Sequence, residues 1–203
     1  MINIAGKKPA FREEKKTYEK MFNDPYETIF WSALWNKLFK HSLFEDVLFP
    51  NVVVYEDLFI LPEIFEKCER IACISNKLYN YVQHCRSVLH TTDIKNIEGA
   101  FVYFHLACFF SGKKEYVNIY LQMLFSGISN YRLASLDKSI KKNKNSHYKT
   151  REKEAVMLFR SSWKRGRGLV KHSVKRFLFF ELFFVNMDLG LAFCNYMKKT
   201  GRL

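Results

Sequence analysis

The sequence predicts a mostly helical α/β chain, with a few short strands confined to its first half and a basic, helical second half. Three observations carry this. Apolar residues recur at three- and four-residue intervals over long stretches, the spacing of a helix face. The segments with strand-like patterning, Val52–Tyr55, Ile71–Ile74 and Leu78–Val82, are short and lie before residue 83. Positive charge is concentrated rather than spread: between Lys138 and Arg176 fourteen Lys and Arg face only Glu152 and Glu154, a local +12 within a net charge of +13. Two segments follow, 1–95 and 96–203, and 203 residues suit one domain or one domain with an extension.

Residues 1–16 are polar and are read as unstructured. From Tyr18 to Phe44 the spacing is helical. Asp24-Pro25 supplies a helix start, and Trp31, Leu34, Trp35 and Leu38 form one apolar face. Pro50-Asn51 marks a turn, and Val52–Tyr55 is a short strand or an extended lead-in. Glu56-Asp57 then opens a helical pattern through Leu58, Leu61, Ile64, Phe65 and Cys68. Acids are electrostatically favoured at a helix start. Pro62 is accommodated if that helix begins near Phe59–Ile60. Ile71–Ile74 reads as a strand, Asn76 as a turn, and Leu78–Val82 as a second strand by its alternation.

Beyond Asp93 the pattern becomes helical. Residues 97–126 form one or two buried helices broken near Ser111-Gly112, and 127–150 form a lysine-rich connection. Residues 151–165 and 169–199 form two more helices, separated by Arg165–Gly168. The apolar stretch Phe177–Cys194 is interrupted by Glu181, Asn186 and Asp188, so no transmembrane helix is predicted there. The amino terminus has no apolar segment of a secretory signal. Five scattered cysteines without a CxxC pair point to reduced thiols of a cytosolic protein and against a zinc site.

Four elements stand in order between Trp35 and Ser87: Trp35-Asn36-Lys37-Leu38-Phe39, Glu56-Asp57, Leu78-Tyr79-Asn80-Tyr81 and Gln83-His84-Cys85-Arg86-Ser87. This ordered set resembles the acceptor-side, C-terminal portion of the catalytic domain of family 2 glycosyltransferases, enzymes of the GT-A fold. The resemblance implies hexosyl transfer from a nucleotide sugar to a saccharide or lipid-linked acceptor in surface polysaccharide synthesis. It implies Asp57 as the base that takes the proton of the acceptor hydroxyl, with Glu56 orienting the acceptor or the neighbouring loop. Trp35 and Lys37 would line the acceptor site, and His84 and Arg86 would approach the donor diphosphate. For each there is a plainer reading: a charged helix start for the acids, core packing for Trp35, and solvated charge for His84 and Arg86. Val82 stands where many members carry Arg, which weakens a phosphate role for that strand.

The family binds a divalent metal, Mg or Mn, through a D-x-D motif. No two aspartates of this chain lie two apart, and no glycine-rich phosphate loop is present. The sequence therefore reads as lacking the donor-binding half. Its strands and an apolar helix face would be left uncovered, with marginal stability, self-association or a separate N-terminal half as the expected outcome. The basic tail carries Phe177–Phe180 and Leu182–Phe184, and cationic plus aromatic character suits an anionic membrane surface at the inner face of the plasma membrane. Nucleic acid is the competing partner and is set aside, because no nucleic-acid-binding motif accompanies the charge. The alternative function is a non-catalytic membrane-surface or interaction protein derived from the same fold.

Overall fold

A computed structural model describes residues 10–12, 18, 22, 32–73, 78–80, 82, 94–136 and 146–200. The chain divides into two compact units, Met1–Thr92 and Asp93–Leu203. Helix dominates among the described residues, as the apolar spacing predicts. The only sheet among them is a two-stranded antiparallel ladder.

In the first unit, β1 (Ala10–Arg12) pairs with β2 (Ile71–Cys73), with Phe11 opposite Ala72. β2 is the strand that its β-branched start predicts. Its partner comes from the N-terminal stretch read as unstructured, so the pairing groups of β2 are met from within the unit. α1 (Glu56–Lys67) begins at Glu56, three residues earlier than the position of Pro62 suggested. Pro62 therefore lies inside the helix. It has no N–H to offer the Leu58 carbonyl, while its own carbonyl accepts from the Tyr18 hydroxyl at 2.7 Å. One core cluster joins Val47, Ile60 and Ile64, with Leu34, Phe39, Leu43, Phe44 and Phe59 packed against them, and Tyr18, Phe22 and Phe65 are buried as well.

Three expectations fail in this unit. Residues 33–40 are not helical, and a 3-10 turn occupies His41–Phe44. Leu38, placed on an apolar helix face by its spacing, is 99% exposed. Its partner positions pack through a turn instead, with the Lys37 N–H donating to the Leu34 carbonyl. Leu78–Asn80 are not in a strand, and Val52–Tyr55 is bent rather than extended. Leu78 and Tyr79 are exposed on both sides of the alternation, so no buried face fixes a strand register. The helix start expected at Asp24-Pro25 lies outside the described residues.

The second unit is built from α2 (Lys95–Phe110), α3 (Val117–Leu136), α4 (Ser146–Gly166), α5 (Val174–Val185) and α6 (Met187–Lys199). α2 packs against both α3 and α4, and α5 packs against α6. The break at Ser111-Gly112 falls where expected. The connection after α3 is shorter than 127–150, because α3 runs on to Leu136 and α4 starts at Ser146. The core is aromatic. Trp163, Tyr120, Phe104, Phe110, Phe159, Phe180 and Phe183 are among the largest fully buried side chains. Phe104 meets Phe159 at 5.2 Å between centroids, and Trp163 meets Phe180 at 5.1 Å. Gly127 admits the Phe104 ring and Gly190 the Phe183 ring, each at a distance that leaves no room for a Cβ.

The stretch 169–199 is two helices rather than one. Asn186 is extended, ends α5 and caps α6, its Oδ1 accepting from the Leu189 N–H at 3.1 Å. Helices of 12 and 13 residues are about 18–20 Å long, short of the ~30 Å hydrocarbon core. No helix of the described residues is long and apolar enough to cross a membrane.

Candidate functional site

Three of the four ordered sequence elements meet in the first unit, and the turn at 34–37 is where they meet. Asp57 stands in the first turn of α1, half-buried, and its Oδ2 accepts from the Leu34 N–H at 3.1 Å. Trp35, the next residue, stacks on Tyr79 with centroids 4.6 Å apart and planes at 28°. Lys37 folds its ammonium back onto the same turn, donating to the Ala33 carbonyl and, at 2.8 Å, to Asn36 Oδ1. Residues 22 apart in sequence, and then another 22 apart, thus touch one four-residue segment.

The backbone explains how α1 presents its acids. Tyr55, just before the helix, adopts the left-handed conformation at φ 71°, the only described non-glycine residue with positive φ. That conformation costs a side-chain-bearing residue about 1–2 kcal/mol. It turns the chain sharply, so that Glu56 and Asp57 open the helix with their carboxylates near its positive end. Burial pushes the Tyr55 hydroxyl pKa up. Glu56 is raised above the usual carboxylate range. Burial is the main cause, opposed by a hydrogen bond from backbone, with the negative charge of Asp57 and a side-chain hydrogen bond to it adding to the rise. The two neighbouring carboxyls differ in setting: Asp57 is half-buried and held by a backbone donor, and Glu56 is exposed.

Trp35 is 37% exposed, so its ring is neither a core side chain nor fully in solvent. It presents a partly open aromatic platform beside the acidic pair. Tyr79, read from the sequence as a strand residue, supplies the other half of that stack from a segment without regular structure. His84 and Arg86 lie outside the described residues. No group of three or more His, Cys, Asp and Glu side chains fit to hold a metal occurs among the described residues.

The second unit contains a polar cluster that the sequence reading missed. Glu98 is fully buried in the first turn of α2. Its Oε1 accepts from Arg151 Nε at 3.0 Å and lies 2.8 Å from His147 Nε2. Arg151 also pairs with Glu154 at 2.7 Å and lies over the Phe101 ring at 4.1 Å. The detectable signal is the i, i+4 spacing of His147 and Arg151 on one helix face, opposite a lone acid in an otherwise apolar helix. Arg151 was counted within the basic segment, yet it is buried. The other described Lys and Arg between 149 and 176 are exposed. Glu181 likewise serves structure: it accepts from Trp163 Nε1 at 3.0 Å and faces Arg167 at 3.5 Å. Cys68, Cys108 and Cys194 are free thiols.

No family model, no curated protein and no solved structure matches the chain.

Proposed function

We propose that the first unit is the acceptor side of a glycosyl-transfer site of the GT-A type, with Asp57 as the base. The observation that supports this is the convergence of the Trp35, Glu56-Asp57 and Tyr79 elements on one turn. A charged helix start alone would not require the two aromatic residues beside it. In the reaction, Asp57 takes the proton of an acceptor hydroxyl. The hydroxyl oxygen bonds to the anomeric carbon of a nucleotide sugar, and the bond from that carbon to the diphosphate breaks, the diphosphate leaving with the electron pair. Oδ2 is steadied by the Leu34 N–H, which fixes the carboxylate plane. Glu56, beside it at the start of α1, orients the acceptor or the neighbouring loop. The Trp35 face packs on the acceptor sugar. The acceptor is a saccharide or a lipid-linked saccharide, and the donor diphosphate is held by a separate N-terminal half.

The test is transfer or hydrolysis with a panel of nucleotide hexoses, using the chain alone and the chain with a donor-binding half supplied. Asp57→Asn is expected to lower turnover by ~10²–10⁴-fold, the range for loss of a general base, while the fold by circular dichroism is kept. Absence of turnover of every nucleotide sugar in both arms would sink the enzyme reading. The remaining reading is then the interaction protein.

A further inference from the structure

The sequence suggested that the phenylalanines of 177–184 meet a membrane. The structure turns them the other way. Phe180 and Phe183 are fully buried, and Phe177, Phe179 and Phe184 are at most half-exposed. What remains outside is a different set. On α5 the face opposite Phe180 and Phe183 carries Val174, Leu178 and Val185, 61–70% exposed, with Leu182 half-buried between them. On α6 the face opposite Met187, Gly190, Leu191 and Cys194 carries Leu189, Phe193 and Tyr196, 39–58% exposed.

These are unusual positions for such residues. A surface helix ordinarily places charge opposite its core face. Here the outermost stripe of both helices is apolar, at i, i+4 and i+11 on α5 and at i, i+4 and i+7 on α6. The cations sit at the ends: Lys171, Lys175 and Arg176 around the start of α5, and Lys198 and Lys199 at the end of α6, all exposed. The acids of the two helices are Glu181, which is engaged by Trp163 and Arg167, and Asp188 at the start of α6.

We propose that the outward faces of α5 and α6 dock on an anionic lipid surface, inserting Leu178, Val185, Leu189 and their neighbours between headgroups while the terminal Lys and Arg meet lipid phosphates. Charge complementarity selects this occupant. A second copy of the chain would bring another +13 against the same cations. An apolar stripe bounded by cations on an outward helix face is the arrangement that lies in a bilayer interface, with its apolar side ~5–10 Å deep. The cationic segment preceding α5 supplies further attraction, each Lys or Arg near such a surface adding about 1 kcal/mol. The docking face is independent of the transferase reading and is tested by binding alone.

The full-length chain is sedimented with vesicles of phosphatidylcholine, with and without phosphatidylglycerol. Enrichment on the anionic vesicles that weakens with salt is expected. Leu178→Gln/Val185→Gln/Leu189→Gln should lower partition at least ~10-fold. Lys175→Gln/Arg176→Gln/Lys198→Gln/Lys199→Gln should remove the preference for anionic lipid. Met157→Gln, an exposed apolar residue on α4, should leave binding unchanged. If the apolar triple variant does not fold, hydrogen exchange of the unmodified chain decides: protection confined to 174–199 on anionic vesicles is expected. No enrichment on anionic vesicles overturns the proposal. So does undiminished binding of the folded triple variant, which would assign attachment to charge alone. A dimer in solution that the triple variant dissociates would give the face to a second copy and overturn it as well.

Discussion

The described tryptophans of the two units stand in opposite settings: Trp163 is fully buried and Trp35 lies at the surface. In Asp93–Leu203, Trp163, Tyr120, Phe104, Phe159, Phe180 and Phe183 fill the space between helices, and glycines on α3 and α6 make room for two of them, while Phe125, Phe193 and Tyr196 stay exposed. In Met1–Thr92 the described core joins Val47, Ile60 and Ile64 with the buried rings of Tyr18, Phe22 and Phe65, while Trp35, Phe49 and Tyr79 are at the surface. Buried rings contribute large areas to stability. The Trp35–Tyr79 stack lies at the surface on the turn whose Leu34 N–H donates to Asp57, whereas Trp163 is packed among the rings of the second unit.

The sharpest way to break this contrast is truncation of the two tryptophans. Trp163→Ala is expected to cost about 3–5 kcal/mol in urea unfolding, because it empties a core position and strands Glu181. Trp35→Ala is expected to cost only about 0.5–1.5 kcal/mol, the worth of a surface stack. Equal losses would erase the distinction. Next in size is Glu98→Gln, which leaves Arg151 buried without its inner partner and should cost about 3 kcal/mol by the same measurement. A loss within experimental error would show that Glu154 alone satisfies Arg151.

A pH series sharpens the comparison from another side. His105, in α2, is depressed by burial to about 4. The unfolded chain takes up that proton near 6.5 and the folded chain does not. Its contribution is therefore complete above pH 6.5 and is lost as pH falls towards 4, by up to about 3 kcal/mol. His105→Leu should flatten the profile over that window. Glu56 has the opposite sign: its raised pKa favours the folded state at low pH, and that support fades as pH rises past its folded value. Being exposed, it should move the first unit's midpoint only slightly, and Glu56→Gln should remove the drift.

Legibility in the sequence followed the period of the apolar pattern. α2, α3 and α4 carry long runs at helical spacing, and the Ser111-Gly112 break was readable. The division of α5 from α6 was not, because Asn186 lies inside an apolar run and reveals itself only through the cap it makes to Leu189. Trp35 and Leu38 satisfied a helical period by coincidence. A tertiary hydrogen bond from Leu34 to Asp57 holds that segment as a turn instead. The partner of β2 was invisible because a three-residue strand in a polar stretch has no detectable alternation. Of the candidate site, the ordered motif singles out Glu56, Asp57 and Trp35, and the structure brings Asp57 and Trp35 to one turn. The contact between Trp35 and Tyr79 was not legible, since nothing local couples the two residues.

The single residue between α5 and α6 sets a rotational phase. With about 100° per residue, one inserted residue after Asn186 would carry Leu189, Phe193 and Tyr196 a quarter-turn or more around the axis of α6. Gly190 would leave the Phe183 ring, and a larger side chain would arrive in its place. Two helices that could be read as one interrupted run thus behave as a keyed pair. Point substitutions on the outer stripe should be absorbed, whereas a change of length by one codon at the joint would exchange inside for outside.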